Sequence, residues 1–131
     1  MVNSNNTLVR TVIAARPGLM RDSLQSLLRA IPHVQVVALT DALETVQALV
    51  NEQRVDFVVL DADLDETRVA ELARQFKREH LRLLCLVLAA TSEQEHALQA
   101  QGAEVVVKNY LDEKLIRTWL STGSFSHRFA M

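Results

Sequence analysis

Along the chain, short apolar runs alternate with segments whose apolar residues recur at helical spacing. Residues 8–14, LVRTVIA, are rich in β-branched and apolar residues and predict a strand. Residues 19–31, LMRDSLQSLLRAI, place Met20, Leu24, Leu27, Leu28 and Ile31 on one stripe, and Pro32 stops that helix. VQVVAL (34–39) is the second strand, and the helix after it is expected to be capped by Asp41 and to bury Val46, Leu49 and Val50. DFVVL (56–60) is the third strand, followed by a helix over 67–80 with Val69, Leu72, Ala73 and Phe76 facing inward. LRLLCLVLAA (81–90) is the fourth strand and the most apolar. Ser92 with Glu95 then reads as a capping box for a short helix closed by Gly102. AEVVV (103–107) is the fifth strand, and LDEKLIRTWL (111–120) the last helix, apolar along Leu115, Ile116, Trp119 and Leu120.

Five strand–helix units in succession, with strands that are apolar throughout rather than alternating, predict an α/β fold with a parallel sheet covered by helices on both faces. The expected organisation is one domain over 8–120, a flexible N-terminus over 1–7 and a tail over 121–131. Fourteen basic against 16 acidic residues, a net charge of -2, give no footprint for binding nucleic acid. The first ten residues lack an apolar run after a basic start, and no stretch reaches the about eighteen apolar residues of a membrane span. A cytoplasmic domain without membrane contact is expected. The lone cysteine, Cys85 inside LLCLVL, excludes an internal disulfide and reads as a small buried residue.

The third strand runs into three alternate acids, Asp61, Asp63 and Asp65. Open parallel sheets bind ligands outside the carboxyl ends of their strands, so Asp61 is the first candidate site residue. Asp63 and Asp65 read as solvated loop acids. A calcium loop is a poor reading, because ETRVAE supplies no glycine at the required place. His33, His80, His96 and His127 are too scattered for a zinc cluster. No nucleophile–base pair and no glycine-rich phosphate loop is present, so an enzyme is not expected.

Three segments together carry a resemblance: VIAARPGLMRDSLQSLL (12–28), RVDFVVLD (54–61) and ALQAQGAEVVVK (97–108). In order and spacing they resemble the receiver domain of bacterial two-component response regulators, closest to receivers that precede a helix-turn-helix output domain. The resemblance covers residues 8–120 and implies a flavodoxin-like (CheY-like) three-layer sandwich, a five-stranded parallel sheet with five helices. It also implies a site in which an aspartate attacks phosphorus, two acids hold magnesium, a Thr or Ser meets the phosphoryl oxygen and a lysine pairs with it. The chemistry needs those cations because a carboxylate must approach an anionic phosphoryl group.

On this chain the phosphoacceptor position is Asp61 and the lysine is Lys108, both retained. The acidic pair falls on Ala15 and Arg16, the hydroxyl switch on Ala89 and the aromatic switch on Val105, and ADLDETR replaces the family's usual turn. Asp61, with Asp63 if any, is a meagre donor set for an octahedral magnesium ion. The resemblance therefore predicts a degenerate receiver, a pseudo-receiver with no cofactor, in which Arg16 stands in the ion's place and pairs with Asp61 beside Lys108. Two alternatives stay open. Asp61 accepts a phosphoryl group in a phosphorelay, with magnesium and a histidine kinase as partner, or the crevice binds a small molecule. The expected contact surface, for a homodimer or protein partner, runs over the fourth helix, fifth strand and fifth helix through Leu98, Val105, Leu111, Leu115 and Trp119. Direct nucleic-acid binding is not expected, since only eleven residues follow the last helix.

Overall fold

The computed structural model describes residues 8–122, without the side chains of Trp119 and Thr122; the terminal segments expected over 1–7 and 121–131 lie almost wholly outside the described residues. Five strands, β1 (Val9–Ala14), β2 (Val34–Thr40), β3 (Phe57–Asp61), β4 (Leu84–Ala89) and β5 (Val105–Val107), alternate with five helices. These are α1 (Leu19–Arg29), α2 (Leu43–Glu52), α3 (Glu66–Glu79), α4 (Ser92–Ala100) and α5 (Glu113–Thr122). All strand pairs are parallel, in the order β2-β1-β3-β4-β5. The parallel sheet covered on both faces is what the alternating pattern predicts, and the whole is the flavodoxin-like three-layer sandwich that the resemblance implies.

β3 lies at the centre, and all five of its residues are buried. Successive side chains leave a strand on opposite faces. Val58 and Leu60 join the core under α2, α3 and α4, while Phe57 and Val59 join the core under α1 and α5. A central strand with helices on both sides has no polar face, hence its unbroken apolar run. Removing a side chain such as Phe57 or Phe76 from water contributes about 1.5–3 kcal/mol.

Several boundaries depart from the pattern. β4 begins at Leu84 rather than 81, because the Leu83 N–H turns back to the His80 carbonyl at 3.0 Å and leaves Leu81 88% exposed. Asp41 does not cap α2; Ala42 occupies that position, and the Thr40 hydroxyl accepts the Ala42 N–H at 3.0 Å. The capping box of α4 sits one residue early. The Thr91 hydroxyl accepts the Gln94 N–H at 3.1 Å, and Gln94 Oε1 accepts the Ala90 N–H at 2.7 Å, leaving Ser92 and Glu95 inside the helix. Asp65, expected as a solvated acid, is the N-cap of α3 and accepts the Arg68 N–H at 3.1 Å. Gly18, at φ 149° before α1, adopts a backbone that a side chain would strain. Among the described residues no helix is long and apolar enough to cross a membrane.

Candidate functional site

Strand ends bring the site together. Asp61 is the last residue of β3 and is 7% exposed. The chain then tightens into a single 3-10 turn, Ala62–Leu64, whose Asp63 N–H donates to Asp61 Oδ1 at 2.9 Å. Lys108 is the residue after β5. β4 lies between, so the two strand ends are about 10 Å apart, two strand spacings, within reach of a lysine stem. β4 ends on Ala89, which adds only a methyl to the crossing. The Lys108 ammonium donates a hydrogen bond to Asp63 Oδ2 at 3.0 Å and forms an ion pair with Asp61 Oδ1 at 3.1 Å.

The electrostatics follow from that bridge. Lys108's hydrogen bond, opposed by partial burial and aided by the Lys108 charge, Gln94 and the more distant Arg16, holds the Asp63 carboxyl below its ordinary value. Partial burial is the largest single influence on Lys108 and disfavours its charge. The two carboxylates outweigh it, so the ammonium is held above its ordinary value.

Arg16 does not form the expected ion pair. It is exposed, and no carboxylate lies within 4 Å of its guanidinium among the described residues. It stands on the rim of a hollow of about 250 Å³ with Gly18, Leu19, Asp61, Asp63 and Lys108. The reason is competition: Lys108 already satisfies Asp61, and water solvates a guanidinium at the mouth at little cost. Ala15 beside it is 2% exposed, its N–H bonded to the Thr40 carbonyl at 2.9 Å. Where the resemblance expects the acidic pair, the chain thus holds a buried methyl and an exposed cation. Ala89 and Val105 are likewise buried, at 0% and 1%, and offer no hydroxyl or aromatic ring.

Magnesium does not fit this donor set. The ion wants near-octahedral oxygen ligands, and here Asp61 and Asp63 are both engaged by Lys108 while Arg16 adds a positive charge to the rim. Among the described residues no three His, Cys, Asp or Glu are grouped to hold a metal. Asp65, spent on its helix cap, and His33, His80 and His96 add no ligands; His127 lies outside the described residues.

Sequence reasoning missed Gln94. From the first turn of α4 its Nε2 donates to Glu66 Oε1 at 2.9 Å, and its amide lies near enough to Asp63 to help hold that carboxyl down. Lys108 thus bridges Asp61 and Asp63, and beside them Gln94 ties the start of α4 to Glu66 at the start of α3. The spacing Thr91-x-x-Gln94 was the available signal.

The expected contact surface is corrected too. Leu98 and Val105 are 0% and 1% exposed, inside the core beneath α2, α3 and α4, whereas Leu111 and Leu115 pack against the opposite core. These four therefore cannot form one exposed apolar patch, and the Trp119 side chain lies outside the described residues. Cys85 keeps some solvent contact as a residue, but its thiol sits in a dry setting near Glu104 that pushes it up to about 12, making it inert.

No curated protein sequence matches the chain. Solved structures share its fold. The isolated receiver domain of RcsB from Salmonella enterica serovar Typhimurium, in the presence of a beryllofluoride phosphomimetic, is 17% identical. It aligns over 90% of this chain and 91% of its own, with a TM-score of 0.74. The non-phosphorylated receiver domain of the stress response regulator RcsB from Escherichia coli is 17% identical over 90% and 96%, TM-score 0.72. ChrA, a response regulator of a heme-sensing two-component system, is 19% identical over 88% and 56%, TM-score 0.68. Against a longer Salmonella typhimurium RcsB chain, this one spans 62% of the length. At such identities the likeness shows the fold alone. The family described as response regulator receiver domain matches residues 17–119 of the sequence itself. With that match over most of its length, and with Asp61 and Lys108 meeting at the carboxyl end of the sheet, the chain belongs to the response regulator receiver domain family.

Proposed function

We propose that this receiver domain is a pseudo-receiver: it signals through protein–protein contact, in a conformation held by Lys108, without ordinary magnesium-dependent phosphorylation. The observation that carries this reading is the Lys108 bridge between Asp61 and Asp63, with Ala15 and Arg16 at the positions of the metal-binding acids. Phosphoryl transfer to a carboxylate needs positive charge at both the attacking and the transferring oxygens. Here the resident cation is spent on the carboxylates themselves. On this reading the domain is no enzyme, carries no cofactor and works in the cytoplasm. Leu98 of α4 and Ile116 of α5 are buried and are not part of that contact.

Calorimetric titration with magnesium tests the metal half of this reading. No saturable binding is expected to about 10 mM, beyond the range of weak physiological divalent sites. Saturable binding that Asp61→Asn abolishes would overturn it. One feature favours the second reading, an active phosphoacceptor: Asp61 and Lys108, the two groups that touch the phosphoryl in this family's chemistry, are both present and in contact.

A further inference from the structure

At the opposite end of the sheet from Asp61, two hollows meet beneath the turn that precedes β4. One, of about 340 Å³, is walled by Ala73 of α3, Leu83 and Leu84 before and in β4, and Ala103 before β5. The other, of about 380 Å³, lies on the far side of the same turn, with Val50, Val55 and Leu83 on one wall and the Arg54–Asp56 ion pair and Arg82 on its rim. Leu81 lines both and is 88% exposed, the most exposed of the large apolar side chains among the described residues. A third hollow continues from the first along α3, between Arg74, Lys77 and Arg78 and the end of α4 at Gly102.

Charge on this end runs against the chain as a whole, whose net charge is -2. Arg74, Lys77, Arg78 and Arg82 surround the groove, against Glu104 and Asp56 in its walls, the latter paired with Arg54 at 3.2 Å, and Glu79 nearby, which leaves the positive charges in excess. None of the four cations makes an ion pair with a carboxylate among the described residues. Arg74 and Lys77 donate instead to neutral acceptors, Gln101 Oε1 at 3.1 Å and the Gly102 carbonyl at 3.5 Å. Arg74 and Arg78 stand four residues apart on one helix face, where like charges repel. A partly apolar groove bordered by an excess of positive charge is the complement of an apolar anchor flanked by acids.

We infer that this groove docks an acidic amphipathic segment of a partner protein, its apolar side chains entering the hollows beside Leu81 and its carboxylates meeting Arg74, Lys77, Arg78 and Arg82. Nucleic acid is the poorer occupant: the walls offer no Phe, Tyr or Trp ring on which a base could stack. A flat anionic membrane would leave the hollows unfilled. The groove is remote from Asp61, so the inference holds whichever way Asp61 behaves.

The test uses fluorescence anisotropy with a labelled designed helical peptide, leucine at positions i, i+3, i+4 and i+7 and glutamate elsewhere. A counterpart carrying lysine for glutamate is the control. The acidic peptide is expected to bind, the basic one not, and Arg78→Glu with Arg82→Glu to weaken binding by about tenfold or more at low salt. Leu81→Ser, changing an exposed side chain, is expected to weaken it independently. The inference is overturned if neither peptide binds, if both bind alike, or if the substitutions leave affinity unchanged. It is equally overturned if duplex DNA or phosphatidylglycerol vesicles bind the groove more tightly than the acidic peptide.

Discussion

Replacing Ala15 and Arg16 together by aspartate is expected to give the domain a magnesium response, and the unsubstituted domain is expected to show none. The double variant sets two carboxylates at the end of β1, next to Asp61 at the end of β3, and removes the cation from the rim of the hollow. Without metal the new acids repel Asp61 and Asp63, and position 15 is buried, so the variant is less stable than its parent. Magnesium then offsets that repulsion. A site of about 1 mM affinity at 10 mM magnesium stabilises the fold by roughly 1.4 kcal/mol, a rise in melting temperature of about 5 °C for a domain of this size. The unsubstituted domain should not move. Should the double variant fail to fold, Arg16→Asp alone, at an exposed position, should show a smaller response of the same sign. An equal magnesium response in the unsubstituted domain would contradict the account.

Lys108→Met should destabilise the domain by about 2–4 kcal/mol at neutral pH, because it strands two facing carboxylates. The Lys108–Asp61 contact dominates: their side chains are 21% and 10% exposed, so water screens it poorly. Asp63, 47% exposed, contributes less. Adding Asp61→Asn should restore part of the loss, since the remaining acid no longer faces a second charge. The pH dependence has a definite sign. Asp63 is held below its unfolded value of 3.8, so its share is present above that pH and lost as pH falls through the lower folded value. Lys108 is held above its unfolded value of 10.5, so its share is present below that pH and lost as pH rises through the higher folded value. The gap between parent and variant in urea denaturation should therefore be full at pH 7 and narrow toward strong acid. A gap below about 0.5 kcal/mol at pH 7, the worth of an exposed pair, would deny Lys108 its holding role.

The order of elements and the position of Asp61 were legible because buried parallel strands leave unbroken apolar runs and helices leave a stripe. Four features were not. Leu81 belongs by composition to the fourth strand, yet a turn closing on the His80 carbonyl exposes it; nothing in an apolar run marks where pairing starts. The resemblance sets Arg16 at the metal position, but whether a guanidinium turns inward depends on which cation reaches Asp61 first. Lys108 does so from a strand two places away. Leu98, Val105, Leu111 and Leu115 lie near one another along the chain, and only the sheet, by splitting them between two cores, shows that they share no surface. Gln94 was readable as a helix-capping residue, but its reach to Glu66 and Asp63 is a tertiary fact.

The central claim is that the Asp61 site does not accept phosphate in the ordinary way. Its most direct test is intact-mass measurement after incubation with acetyl phosphate and magnesium, with Asp61→Asn alongside. The account predicts no phosphoryl adduct on the folded domain, and an unchanged mass for both proteins. An added phosphoryl mass on the parent, absent from the Asn variant, would contradict it and make this an active phosphoacceptor whose metal ligands lie outside the positions of Ala15 and Arg16.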